Sequence, residues 1–434
     1  MREMKNSGIE WIGQIPEDWE TIKIKYVVTP IKSGGTPDSD NDRFYAEEGI
    51  PWVAISDMST SSYVFDTEKH ITEEGRKSKN LLIFPTGTLL YSIYATVGKV
   101  SQLKIPACIN QAILALIPHE DIYLTAFLKY NLKAIEDYVY SQSSGNTQFN
   151  LNAHKVNNFP IVSPDFETQK RIADFLDEKC GKIDRYIEKQ QLVIEKLKVF
   201  KQSVITEAVT KGLNPTVPMK DSGIEWIGMI PEHWLSRRLR YLGTCVNGIS
   251  KGGEYFGSGY PFVSYGDVYK NMELPSSVAG LVETTEDERE WYSVKEGDVF
   301  FTRTSETIEE VALTSTCMKT IEKATFAGFL IRFRPNTNLL TKEFSKYYFR
   351  SDKHRLFFVK EMNLVTRASL SQELLKRLPV LLPPIDEQLT IAAHLEQKCS
   401  NIDEAINKKY AVIEKLIKYK KSLIYEAVTG KLEV

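Results

Sequence analysis

The 434-residue chain has no CxxC pair among its five cysteines and no apolar run of the roughly 18 residues that a membrane span needs. Nor is either charge in excess: 55 Lys and Arg stand against 57 Asp and Glu. Each absence excludes something. Cys108, Cys180, Cys245, Cys317 and Cys399 are odd in number and widely spaced, which fits a reducing compartment, so a cytoplasmic protein with no membrane is expected. The opening MREMKNSGIEW lacks the apolar core of a secretory signal, and secretion by that route is not expected. Balanced charge gives no bulk attraction to nucleic acid, so such binding must rest on arrangement. The 42% hydrophobic and 26% charged composition is that of a folded protein, long enough for two or three domains.

Catalytic signatures are also scarce. There is no Walker phosphate loop. The six histidines lack the i, i+4 pairs of a zinc site. Residues 256–259 (FGSG) resemble a methyl-donor glycine loop, but DNA amino-methyltransferases also need a polar residue before Pro-Pro-aromatic, and the only Pro-Pro here is in Leu382-Pro383-Pro384-Ile385. Asp165 with Asp177 and Lys179 formally fits a nuclease metal motif. Asp177 and Lys179 fall two residues apart on one helix, however, and are expected to be solvated surface. No nucleophile, base and orienting group come together, so no catalytic and no metal-binding residues are assigned.

What the chain has is duplication. Residues 5–19 (KNSGIEWIGQIPEDW) return as 220–234 (KDSGIEWIGMIPEHW), and a second block from Gln169 returns from Gln388, 219 residues later. Between these blocks, 20–158 and 235–377 share only a skeleton. The order is constant block, variable domain, constant helix, then the same again.

Residues 165–210 and 386–429 are predicted to be long helices. In the first, Ile172, Leu176, Ile183, Ile187, Ile194, Leu197, Val204 and Ala208 recur at helical steps, and the second copy repeats the stripe. About 40 residues make a rod of roughly 60 Å. So narrow a stripe on so long a helix requires a partner, and the other copy is the simplest one, paired antiparallel; packing of each helix on its own domain alone is the competing arrangement. Cys180 and Cys399, matched in the stripe, are expected to be small core fillers. Trp11 and Trp19, with Trp226 and Trp234, are expected to dock on a helix or cap a domain.

The variable domains are predicted to be mixed α+β, with strands at 52–55, 81–94, 262–265, 299–302 and 329–333 and amphipathic helices at 124–140 and 342–361. Glycine- and hydroxyl-rich loops stand at strand ends, where short side chains admit a phosphate and Lys, Arg, Asn or Gln reach base edges. The net charges of 20–158 and 235–377 are −2 and +3, so binding would need cations gathered on one face.

The GIEWIGxIPxxW block, the PPIDEQ run ending at Gln388, the IEKL stretches at 194–197 and 413–416 and the EAVT ends at 207–210 and 426–429 resemble the specificity (S) subunit of type I restriction–modification systems, over essentially the whole chain. The first copy departs from the pattern by reading SPDFETQ at 163–169, without the double proline. The resemblance implies an α+β fold with a pseudo-two-fold repeat: two target recognition domains (1–158 and 214–377) separated by two conserved spacer helices (159–213 and 378–434) that form an intramolecular antiparallel coiled coil. It implies a non-catalytic subunit that reads a bipartite, asymmetric site on double-stranded DNA, one domain per half-site. Two methyltransferase (M) subunits and motor–nuclease (R) subunits would be its partners. S-adenosylmethionine, ATP and Mg²⁺ would belong to them, with no cofactor in this chain. For DNA contact the expected residues are Lys32, Thr36, Tyr91, Ser92, Tyr94, Lys99, Asn146 and Gln148 in the first domain, and Lys251, Tyr265, Arg303, Thr304, Ser305 and Arg367 in the second. Arg303 leads, because arginine can bond guanine bidentately. The alternatives are a two-domain coiled-coil scaffold that binds proteins rather than DNA, and a self-contained enzyme.

Overall fold

The computed structural model describes residues 2–58, 62–94, 96–136, 138–139, 151–305, 311–361 and 368–434. The chain divides into two compact units, Met1–Gln190 with Tyr410–Val434, and Gln191–Lys409. No described helix is long and apolar enough to cross a membrane.

The first unit is built on β1 (Lys32–Ser33), β2 (Ile50–Val53), β3 (Leu89–Ser92), β4 (Val100–Leu103), β5 (Cys108–Ile109) and β6 (Ile113–Leu116). One sheet has the order β1, β6, β3, β4 and the short strand Tyr63–Val64; in a second, β5 pairs parallel with β2. Strand alternation divides the side chains between two cores. Leu89, Tyr91, Leu114 and Leu116 face one cluster, while Leu90, Ile113 and Ala115 face the other. After β6 come α1 (Thr125–Ala134) and the 46-residue α2 (Phe166–Lys211), whose first part, to Gln190, lies in this unit.

The second unit repeats the plan with β7 (Gly243–Asn247), β8 (Phe256–Val263), β9 (Val299–Thr302), β10 (Thr314–Thr316), β11 (Thr325–Phe326) and β12 (Leu330–Pro335). The sheet order β7, β12, β9, β10 matches the first unit, and β11 pairs parallel with β8 as β5 does with β2. Val299, Phe301, Ile331 and Phe333 face one core; Phe300 and Leu330 face the other. α3 (Lys342–Tyr348), α4 (Asp352–Glu361) and the 44-residue α5 (Ile385–Val428) follow.

Several elements differ from expectation. The run 81–94 is a strand only at β3, because Pro85 and the positive-φ Gly87 turn the chain before it. The strand expected to reach Tyr265 ends at Val263, where Ser264 and Asp267 form a capping box that starts a short helix, Tyr265–Lys270. The helix expected over 342–361 breaks at 349–351: Arg350 turns aside to bond the carbonyls of Thr314, Val268 and Asn271, and buried Ser351 bonds His354 Nδ1.

Within each unit a stretch of α2 lies with a stretch of α5. In the first, Ile172, Leu176, Cys180 and Ile183 share a core with Leu423, Ile424 and Ala427; in the second, Ile205, Ala208 and Val209 share one with Ile391, Leu395 and Cys399. In both cases an early part of one helix meets a late part of the other, so the pairing is antiparallel. Lys420 bonds Asp184 at 2.6 Å in the first unit, and Lys201 bonds Asp403 at 2.6 Å in the second. These pairs are related by the same 219-residue repeat. Cys180 and Cys399 are buried, as expected of core fillers.

The tryptophan blocks seal the ends of these helices. Trp11 and Trp19 pack in the core that holds Ala427 and Val428, and Trp234 packs in the one that holds Ala208 and Val209. Each helix ends just before a left-handed glycine, Gly212 (φ +74°) or Gly430 (φ +72°). A Cβ on Gly430 would lie 2.5 Å from Pro16 Cγ and 2.9 Å from the Trp19 ring. Gly430→Ala should therefore cost about 1–3 kcal/mol, because strain and overlap add. Gly181→Ala, inside α2 with open space around it, should instead stabilise by about 0.5–1 kcal/mol. Urea unfolding of both variants checks the contrast.

Candidate nucleic-acid interface

In the first unit the candidate loops gather where β3 ends, β1 ends and β5 turns into β6. Tyr91 and Ser92, expected to face DNA, are core residues. Alternation turns the Tyr91 ring into the main cluster, and burial pushes its phenol well above the usual value. The Ser92 hydroxyl is used internally, accepting from Lys99 N at 3.0 Å and donating to the Thr96 carbonyl. Tyr94, beyond the strand, is 46% exposed. Lys32 is exposed on β1. Thr36 is half-buried and donates to Gln111 Oε1. Lys99 lines a cavity of about 550 Å³ with Lys129, Lys133, Asp177 and Lys420. The glycine-rich stretch after Lys32 has a structural cause: a Cβ on Gly34 would lie 1.7 Å from the Ile109 carbonyl oxygen, so this glycine lets two strands of the domain approach. Asn146 and Gln148 lie outside the described residues.

In the second unit Lys251 is largely committed: it bonds Glu288 at 2.8 Å, holding that carboxyl below its usual range, and lies over the Tyr255 ring. Tyr265 stacks on Tyr269 at 5.9 Å. Arg303 is half-buried, its N–H donating to the Phe329 carbonyl at 2.9 Å and its carbonyl accepting from Leu370 N at 2.7 Å. Thr304–Ser305 pairs antiparallel with Ala368–Ser369. Arg303 is thus held beside Phe329, while Thr304 and Ser305 follow it on a strand paired with Ala368–Ser369, and Lys251 and Tyr265 belong to other elements. Arg367 lies outside the described residues. Among the described residues no group of three or more His, Cys, Asp or Glu could hold a metal ion.

Sequence reading missed three features. Asp177, expected to be solvated helix surface, takes Lys129 at 3.0 Å and the Tyr130 hydroxyl at 2.5 Å. Glu396, its counterpart 219 residues later, takes Lys346 at 2.5 Å and the Tyr347 hydroxyl at 2.6 Å. The same lysine–tyrosine latch therefore holds α1 to α2 in one unit and α3 to α5 in the other. Buried Gln169 and Gln388 form a second duplicated clasp: each side-chain carbonyl accepts a backbone N–H ahead of the domain helix, from Leu124 and Thr341, at 2.9 Å. On the surface, Lys25 over Tyr26 (5.0 Å) is repeated by Arg240 over Tyr241 (4.9 Å). The signal in each case was the repeat itself, read position by position.

Two units of one topology, alike in scaffold and different in their loops, define a two-domain recognition protein. The chain belongs to the family described as Type I restriction modification DNA specificity domain, which matches residues 16–196 and 231–415. It is similar to the Type I restriction enzyme MjaIX specificity subunit of Methanocaldococcus jannaschii, 31% identical over 196 residues, or 44% of each chain. It is similar over nearly its whole length to the EcoKI specificity subunit of Escherichia coli K12, 23% identical over 97% of this chain and 90% of that one. A chain from a structure describing complex assembly and conformational transition of the type I R-M system shares the fold, with a TM-score of 0.70 and 15% identity over 96% of this chain and 99% of that one. Chains of this family supply specificity, carry no cofactor of their own and are not themselves enzymes.

The latch generates a test. Lys129 and Lys346 are almost fully buried, whereas their carboxylates are half-exposed or more. Asp177→Asn and Glu396→Gln should each cost about 1 kcal/mol at neutral pH, the range for a charged hydrogen bond discounted for exposure. Lys346 and Tyr347 hold the Glu396 carboxyl below its usual value. Its contribution is therefore whole above the ordinary glutamate range and is lost as pH falls through the lower folded value. The difference between wild type and Glu396→Gln in urea should shrink below about pH 4.

Proposed function

We propose that the chain is the sequence-reading subunit of a type I restriction–modification complex. It binds a bipartite, asymmetric site on double-stranded DNA, with one recognition domain (1–158 or 214–377) per half-site and the spacer helices (159–213 and 378–434) setting their separation. Two methyltransferase subunits and the motor–nuclease subunits join it, bringing S-adenosylmethionine, ATP and Mg²⁺, and the complex works in the cytoplasm. The observation that carries this reading is the duplicated scaffold with divergent loops: one mechanical arrangement written twice, presenting two different surfaces. Exposed apolar side chains on the long helices, Tyr186 and Tyr419 in one unit and Val199 and Phe200 in the other, suit burial against partner subunits better than solvent. The repeated Lys25–Tyr26 and Arg240–Tyr241 pairs suit a contact made the same way in both halves, such as a phosphate.

The defining experiment is to co-express the chain with its methyltransferase subunit and map the methylated adenines, which reports both half-sites and their separation together. DNA affinity should fall steeply with salt; salt-insensitive binding, or none, would favour the protein scaffold instead. Four residues inserted in both helices, near Ile187 and near Ile406, add about 6 Å and should lengthen the unread spacer by one to two base pairs while leaving both half-sites unchanged. Arg303→Ala should relax one base in one half-site, whereas a uniform loss across sequences would mark a phosphate contact.

A further inference from the structure

One turn is built identically in both units. In the first it joins β5 to β6: Ile113 N–H closes on the Asn110 carbonyl (3.2 Å), Asn110 N–H bonds the Val53 carbonyl (3.0 Å), and the Ala112 carbonyl accepts from Ile93 (2.9 Å). In the second it joins β11 to β12, with the same three bonds: Leu330 to Ala327 (2.9 Å), Ala327 to Val263 (3.0 Å), and Arg303 to the Phe329 carbonyl (2.9 Å). The backbone is therefore pinned from three sides in each copy; the side chains differ, with Asn110 adding a bond to Ala112 N–H (3.0 Å) where the second unit has Ala327, and the tips differ most. The first unit exposes Gln111, whose carbonyl accepts from Thr36. The second has glycine at that position, where a Cβ would lie 2.4 Å from Ser250 Oγ, and instead exposes the next residue, Phe329, at 64%. A bare phenyl ring on a rigid turn is costly in water and has no partner ring among the described residues.

We propose that these two tips are specificity-determining residues, one per half-site. The inference rests on the DNA-reading function above. A common scaffold that must read two different targets keeps its backbone and changes the side chains it presents. Gln111 carries the groups that bond adenine bidentately at N6 and N7. The Thr36 hydroxyl occupies one lone pair of its carbonyl, leaving the second lone pair and the amide N–H groups for the base. Phe329 has no polar group and reads the one apolar feature of the major groove, the 5-methyl of thymine. Its backbone bond to Arg303 sets it beside the guanidinium candidate, so the half-site of the second unit should contain a thymine next to a guanine.

The test uses the full chain co-expressed with its methyltransferase subunit. Methylated sites are mapped for wild type, Phe329→Ala and Gln111→Ala. Phe329→Ala should relax one thymine in one half-site and leave the other half-site intact; Gln111→Ala should relax one adenine in the other. Duplexes carrying the mapped site, with deoxyuridine in place of that thymine, should bind wild type about three- to fivefold more weakly, the effect of one lost methyl contact, and should bind Phe329→Ala no differently from the thymine duplex. Both tips are exposed, so thermal melting should match wild type. A half-site without thymine, a relaxed position that is not thymine, or a deoxyuridine effect that survives in Phe329→Ala overturns the assignment. So does a variant that keeps its target but assembles poorly with the methyltransferase subunit, which would make Phe329 a protein contact. Failure of the wild-type chain to direct methylation to any sequence would overturn the DNA-reading function itself.

Discussion

Burial of the long-helix stripe within each unit is the constraint on which the remaining structure depends. Neither α2 nor α5 can bury its stripe alone, since a narrow apolar seam on a 44- or 46-residue helix has too little domain to cover it. Each unit meets that need with an early stretch of one helix and a late stretch of the other. The two helices repeat one stripe at positions 219 residues apart, so a contact between an early stretch of one and a late stretch of the other has a counterpart in each unit. The Lys420–Asp184 and Lys201–Asp403 pairs are that statement in charge. As partly exposed ion pairs they add little stability, but a register slip by one residue would lose both.

The same logic explains why the domains diverge where they do. The residues that join each domain to its helix are duplicated: the clasping glutamines Gln169 and Gln388, and the carboxylates Asp177 and Glu396 facing a Lys-Tyr pair. A surface loop can change without disturbing a core, whereas an almost fully buried lysine that loses this carboxylate loses its short charged bond. Sequence diverges through the domains, while the order of the four shared strands, the turn hydrogen bonds and the latch persist. This division of labour lets one fold acquire new targets while its attachment is unchanged.

Much of the architecture was legible because it was periodic. The helices run within a residue of their expected ends, and β9 spans the residues expected of it, since heptad and strand repeats extend over many positions and average out local exceptions. Side-chain facing was less legible. Tyr91, inside the expected strand, looked like a DNA-facing residue because the apolar run around it gave no alternation, and β3 is covered on both faces. Asp177 looked like solvated surface because its partners lie 47 and 48 residues earlier, a separation no local pattern reports. Gly34 looked like a phosphate-admitting loop, yet the close approach it permits is to the chain's own Ile109 carbonyl.

These three differences share a cause. Glycine, tyrosine and aspartate have the same local signature whether they meet a ligand or their own fold, because both demands are for close approach, a flat ring or a fixed charge. What separates them is whether that valence is already satisfied inside the domain. Ser92 has filled its capacity with Thr96 and Lys99, and Lys251 has spent its charge on Glu288. Among the described residues Gln111, with amide N–H groups still to place, and Phe329, with a ring in solvent, have not. A site intended for another molecule is recognised less by residue type than by unfinished bonding on a backbone that is fully bonded, and the strand-connecting turns of the two units meet that description.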